Sequence, residues 1–323
     1  MKGRQRGAAI LTAMLTVTLV ATFAAAALWQ QWRSVEVEGA ERSRVQSGWI
    51  LTGALDWARL ILREDSPGAD HLAEPWSVPL QEARLSTFLA ADRNAGADPN
   101  SQAENTFLSG QIIDQQSLLN VTNLVEAGRL SEQGVRSFQR LFSLLGLPAS
   151  QLDTLAENLR FASDISTDNR SANQAPLLPQ RVEQLVWLGL PVSTVAALQP
   201  YVTLLPARTP VNLNTASAEV IYAAADGLSM ADAQRLVAER EQSHFRSLQD
   251  AYRLMPQHQA ALTAGAVSIA SNYFEVLGRL RIDQVIVEER SLVAREGRMV
   301  RTLFRERGVA DASALAQAAA TKR

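Results

Sequence analysis

The sequence predicts an α+β chain in which a long N-terminal helix packs on an antiparallel sheet and a large all-α segment interrupts that sheet. Three observations predict it. An uncharged run over residues 8–32 leads into an amphipathic stretch reaching about residue 64. Short alternating segments flank the middle of the chain, near 110–116 and 273–305. Between them, apolar residues recur at helical spacing.

The chain has 323 residues, more than one average domain, so two folded units or one domain with a large insertion are expected. Hydrophobic residues make up 47% and charged residues 20%, enough apolar surface for real cores. With 31 Lys+Arg against 33 Asp+Glu, the net charge of -2 gives no field that favours nucleic acid. Cysteine is absent, which removes thiol nucleophiles, zinc-thiolate sites and disulfides together. The three histidines, His71, His244 and His258, lack the spacing that sets two imidazoles on one helix face, so each reads as a separate surface or loop residue. No Ser/His/Asp or paired-carboxylate set stands out, so a secreted hydrolase finds no support and no catalytic residue is expected.

Lys2, Arg4 and Arg6 precede the uncharged run, which ends at Arg33. Basic residues before a span predict a cytoplasmic N-terminus, with everything beyond Arg33 exported. Residues 8–29, at about 1.5 Å each, are long enough to cross a hydrocarbon core of about 30 Å. Three readings compete. Ala24 and Ala26 give the A-x-A spacing of a secretory signal peptide cut near Ala26, the span could be an uncleaved anchor, or a short leader ends at Gly7, between Arg6 and Ala8.

Beyond the span, Trp32, Val35, Val45, Trp49, Thr52, Leu55 and Leu62 recur at roughly helical spacing among charged residues, predicting one continuing helix with a core-facing stripe. Asp65, Ser66, Pro67 and Gly68 stop it. Residues 95–100 read as a surface loop. Residues 110–116 form an extended segment entering a turn at 118–124. Val135, Phe138, Leu141, Phe142 and Leu145 predict a helix over 131–145, closed by Gly146 and Pro148. More helices follow to about residue 266, with a weak echo between 183–198 and 219–236 that reads as two similar helical hairpins. At the C-terminal end, 273–282, 285–295 and 298–305 predict three antiparallel strands, with a tight turn at Glu296 and Gly297. Residues 308–323 read as a disordered tail.

Residues 210–250 resemble the helix-hairpin-helix module of DNA-binding proteins. Such a hairpin cradles phosphate on backbone N–H groups and needs glycine on both sides of an apolar residue. Here it reads Gly227-Leu228-Ser229 after Asp226, so one glycine is missing and a carboxylate stands beside the anion position. The module is therefore read as structural or protein-binding, with Thr215 as the helix N-cap and Glu219 in the first turn.

On Gly7 before Ala8, Thr12 five residues into the segment that follows, and the degenerate module at 210–250, the chain resembles the K-type minor pseudopilins of type II secretion systems. The resemblance implies a type IV pilin-like fold: leader 1–7, membrane and spine helix 8–64, pilin-like α/β domain 65–119 plus 268–307, and helical insertion 120–267. It implies that prepilin peptidase cuts between Gly7 and Ala8 and that Ala8 is then N-methylated. Thr12 stands where most pilins carry a glutamate, thought to pair with a neighbouring subunit's N-terminal amine, and the K type is noted for lacking it. A non-catalytic subunit of the inner membrane is implied, single-pass with its bulk periplasmic, at the tip of the pseudopilus. Its implied partners are I-type and J-type minor pseudopilins, other pseudopilins, prepilin peptidase and the exported protein. The family also holds calcium near its insertion. Here Asp164 and Asp168 are the candidates, and two carboxylates beside Arg170 are few against the six to eight oxygens calcium takes. A competence-type DNA-binding pilin is the alternative.

Overall fold

The computed structural model describes residues 6–65, 68–87, 105–164, 174–282 and 285–310. Helix α1 (Arg6–Glu64) is continuous, so it begins inside the expected leader and contains both Gly7 and Ala8. Residues 1–53 form one unit of the chain, and within it the described residues are helix alone. Among the described residues, α1 is the one helix long and apolar enough to cross a membrane. The hydroxyls of Thr16, Thr18 and Thr22 donate to carbonyls three or four residues back, so hydrocarbon leaves none of them unsatisfied.

Of the core-facing stripe expected from Trp32 onward, only the C-terminal part is buried. Trp32, Val35, Val45 and Trp49 are exposed, Trp49 by 74%, whereas Leu55, Ala58 and Leu62 are buried. Their i, i+3, i+7 spacing sets them on one face, which packs on Trp76, Ile112, Phe274, Val276, Val293 and Val300. Arg59 fixes the helix to the sheet margin by donating twice to the Val300 carbonyl, at 3.1 and 2.8 Å.

Those partners come from a five-stranded antiparallel sheet: β1 (Leu80–Arg84), β2 (Thr106–Asp114), β3 (Tyr273–Ile282), β4 (Val285–Glu296) and β5 (Met299–Ala310). Spatial order equals chain order, so the sheet is a meander. Period-two alternation places Phe274 and Val276 against α1 and Glu275 on the opposite face. Gly297 takes φ +60 in the two-residue turn between β4 and β5, a value few side chains tolerate. β5 runs to Ala310 and thus enters the expected tail, because Gly308, Val309 and Ala310 pair with Glu288, Val287 and Ile286. The loop expected at 95–100 lies outside the described residues, as do 311–323 of the tail.

The β2–β3 connection carries the helical domain: α2 (Glu132–Leu144), α3 (Ala149–Ala162), α4 (Val192–Leu198), α5 (Ala218–Ala224), α6 (Met230–Gln242) and α7 (Leu248–Leu254). Its own core runs from Leu119 to Val267 and includes Phe138, Leu141, Phe142, Leu155, Leu185 and Leu236. α2 is capped by Ser131 and closed by Gly146 at φ +65, with Leu147 N–H donating back to the Phe142 carbonyl at 2.8 Å. In the first of the expected hairpins, 182–188 is a 3-10 helix rather than an α-helix; it ends at Gly189, φ +92, where a Cβ would sit 2.9 Å from Thr154 Cγ2.

The domain is not wholly helical. Leu119–Asn120 pairs in parallel with Val202–Thr203, and Val211–Asn212 pairs in parallel with Val267–Ser268. Asparagine side chains hold the neighbouring segments. Asn120 donates to the Ala207 carbonyl (2.7 Å) and accepts from Leu205 N–H (3.2 Å), while Asn123 exchanges both bonds with the Thr209 backbone (2.7 and 3.0 Å). Asn214 does the same with Phe245 (3.0 and 2.9 Å). Each amide replaces a missing strand partner for backbone that would otherwise be buried unpaired.

Candidate functional site

Buried charge and hydrogen bonds concentrate where the helical domain meets the sheet. The Asp114 carboxylate, at the end of β2, is 3% exposed. Its Oδ2 accepts from Thr215 Oγ1 (2.6 Å), Ser271 Oγ (2.7 Å) and Asn212 Nδ2 (3.2 Å), and its Oδ1 accepts from Gln116 N–H (2.8 Å). Burial pushes this carboxyl up to about 6, against the lowering effect of Thr215, Ser271 and the Gln116 amide. The Asn212 amide also reaches Ser271 Oγ (2.9 Å) and the Asp70 carbonyl (3.1 Å).

Arg295, from β4, completes the joint. Its guanidinium donates to Asp65 Oδ2 (2.9 Å), to the Asp70 carboxylate and to the Ser271 carbonyl (2.9 Å), and lies 4.9 Å from the centre of the Phe274 ring. One cation therefore ties the residue after α1, the loop that follows and the entry to β3. Carboxylate oxygens of Asp65, Asp70 and Glu74 lie within 4.8 Å of one another, but Arg295 pairs with the first two, and Glu74 accepts from His71 N–H (2.9 Å) and Trp76 Nε1 (2.7 Å). The hydroxyls of Ser271 and Thr215 both give their protons to a buried carboxylate, so neither is offered to a substrate. The arrangement is a fastening.

Thr215 is thus not the N-cap that the sequence suggests. Ser217 caps α5 by accepting from Val220 N–H, and Thr215 is drawn instead to Asp114, an acceptor that sequence reading places in another domain. Glu219 does sit in the first turn. In the hairpin that follows, the N–H groups that a phosphate would need are already engaged: Leu228 N–H donates to the Ala225 carbonyl (3.2 Å) and Ser229 N–H to Asp232 Oδ2 (3.0 Å). Gly227 has φ +99 and Leu228 is buried, while Arg140 of α2 donates to the Leu228 carbonyl (2.5 Å) and the Tyr222 carbonyl (2.9 Å). Asp226 meets Arg136 (3.2 Å) and Arg140 (3.8 Å).

Thr12 donates to the Ala9 carbonyl at 3.0 Å. Asp164 is half-buried just past the end of α3, with its N–H donating to the Phe161 carbonyl; Asp168 lies outside the described residues. Sequence reading missed the pairing of His71 with His244, whose rings stack 3.7 Å apart at 14°. Their separation along the chain carries no signal of it.

Two family models, both described as "Type II secretion system (T2SS), protein K", match residues 117–207 and 211–272. The type II secretion system protein K of Pseudomonas aeruginosa is 24% identical over 87% of this chain and 86% of its own length. That of Pectobacterium carotovorum is 24% identical over 95% and 98%. Family models and relatives alike liken the chain to the type II secretion protein K family. Both matched stretches lie in the helical domain, and the second starts at Val211 and ends at Asn272, spanning Asn212, Thr215 and Ser271 of the joint. A chain in the crystal structure of the GspK-GspI-GspJ complex from enterotoxigenic Escherichia coli matches with a TM-score of 0.56 at 18% identity, covering 83% of this chain and 98% of that one. The shared fold is thus a helix on an antiparallel sheet with a helical domain in one connection.

Proposed function

We propose that this chain is a non-catalytic minor pseudopilin that caps the tip of the type II secretion pseudopilus and helps start its assembly for export of folded periplasmic proteins. The observation that carries the reading is Thr12. A carboxylate at that depth costs several kcal/mol unless paired, whereas Thr12 has its hydroxyl satisfied within α1 and needs no neighbouring subunit. The helical domain adds bulk that a repeating shaft does not accommodate, which favours a terminal place. In this reading α1 anchors the chain in the inner membrane with its N-terminus cytoplasmic and its bulk periplasmic. Prepilin peptidase cuts between Gly7 and Ala8, Ala8 is methylated, and the cap forms with I-type and J-type partners, as the proteins of the matched complex assemble with one another.

Intact-mass measurement of membrane-extracted protein, made together with prepilin peptidase, tests the reading. A mature chain beginning at methylated Ala8 is expected; one beginning near Ala27 overturns it. Co-purification with I-type and J-type pseudopilins, retained in Thr12→Ala, tests the cap.

A further inference from the structure

A groove of about 640 Å3 lies between the outer face of the sheet and the helical domain, a size that accommodates a few side chains. On the sheet side, Glu275, Arg290 and Leu292 rise between the residues that face α1, and Phe304 continues the wall on β5. On the helical side, the 3-10 segment 182–188 buries Leu185 and Leu188 and turns Val182 and Glu183 to the groove.

Most charges along the groove are already matched. Arg181 forks onto both oxygens of Glu306 (2.5 and 2.6 Å), and Arg279 holds Glu288 (2.5 Å). Glu275 is different. Among the described residues its carboxylate makes no hydrogen bond and no ion pair, although the residue is half-buried. Burial pushes its carboxyl up, Arg290 offsets part of that, and Glu183 across the groove pushes it further. Glu183 accepts from Gln199 Nε2 (3.1 Å) and Arg290 acts on Glu275 without contacting it, so among the described residues neither carboxylate is in an ion pair and the groove is left short of a cation.

We propose that this groove docks an extended segment of a partner polypeptide carrying a lysine or arginine, with the cation between Glu275 and Glu183 and its apolar neighbours against Leu292, Phe304 and Val182. The strand floor suits an extended chain, because side chains two residues apart repeat at about 7 Å on both partners. The proposal goes beyond the tip reading and does not depend on it: loss of the peptide site would leave processing at Gly7 untouched.

The test uses the full chain in nonionic detergent and three fluorescein-labelled octapeptides, alternating valine with lysine, glutamine or glutamate. Fluorescence anisotropy at low ionic strength is expected to show the lysine peptide binding about tenfold tighter than the glutamine one, with the glutamate peptide weakest. E183Q/E275Q abolishes the preference, E183K on the exposed rim reverses it, and E296Q at the distant β4–β5 turn leaves it intact. Equal binding of the three peptides overturns the proposal, as does a lysine preference that survives E183Q/E275Q or E183K. Removal of residues 311–323, which carry Lys322 and Arg323, should change nothing. A large gain in affinity on that removal would assign the groove to the chain's own tail and overturn a partner as occupant.

Discussion

Replacing Asp114 by Asn separates two opposing effects on one buried carboxyl. Burial favours the protonated acid, while four donors favour the anion. With the carboxyl pushed up to about 6 from 3.8, burial wins by roughly two units, or about 3 kcal/mol at 1.36 kcal/mol per unit. The folded state then holds a proton that the unfolded chain has released. The resulting stabilisation is full below about pH 4 and is lost as pH rises through about 6. Asn does not titrate, and its amide faces the Gln116 N–H, a donor opposed to a donor, which costs about 1 to 3 kcal/mol at every pH. Urea unfolding of the full chain in detergent, followed by tryptophan fluorescence at pH 4, 5, 6 and 7, gives the difference between wild type and D114N. The wild type's advantage should shrink by about 3 kcal/mol from pH 4 to 7. A constant difference, or one that grows with pH, would refute the reasoning and mean that the four donors outweigh burial.

Arg295→Met leaves Asp65 and Asp70 buried without their cation and should cost about 3 to 5 kcal/mol in the same unfolding measurement, with Arg295→Lys intermediate. Gly134→Ala, although a better helix former, sets a Cβ 2.1 Å from the Asn123 carbonyl oxygen; a net loss of about 1 to 3 kcal/mol is expected, and a stabilised variant would contradict the packing. Filter binding of duplex DNA at low salt should show no retention, since the Leu228 and Ser229 N–H groups of the hairpin are already engaged; retention abolished by Gly227→Asp would restore the DNA reading. If Asp164 and Asp168 hold calcium, as the resemblance implies, D164N/D168N removes a calcium-dependent rise in melting temperature, and no such rise in the parent chain dismisses the site.

Local pattern carried most of the architecture. The span, the α2 periodicity with its Ser131 and Gly146 ends, and the alternation of β3, β4 and β5 are properties of neighbouring residues, so they are legible from them. The stripe on α1 was over-read because helical spacing reveals a face and not what covers it. The joint was largely illegible. Asn212 and Thr215 draw notice by their place in the module, but their acceptor Asp114 comes from β2, and their neighbours Ser271 and Arg295 from the entry to β3 and from β4, and nothing in the order of residues couples them. Thr215 shows the cost of that blindness: a good capping residue by type, it found a buried anion that local rules do not contain.

The meander of the sheet has a consequence for how the chain folds. Asp114 and Phe274 face each other across β2 and β3, so the two ends of the helical domain emerge side by side. A flexible connection of that length would oppose the β2–β3 pairing by loop-closure entropy and slow it. A domain with its own core, already folded, delivers both strands nearly in register and turns a distant encounter into a local one. Central pairing then waits on the helices, and a core lesion such as Phe138→Ala should appear first as slow formation of a sheet it does not touch.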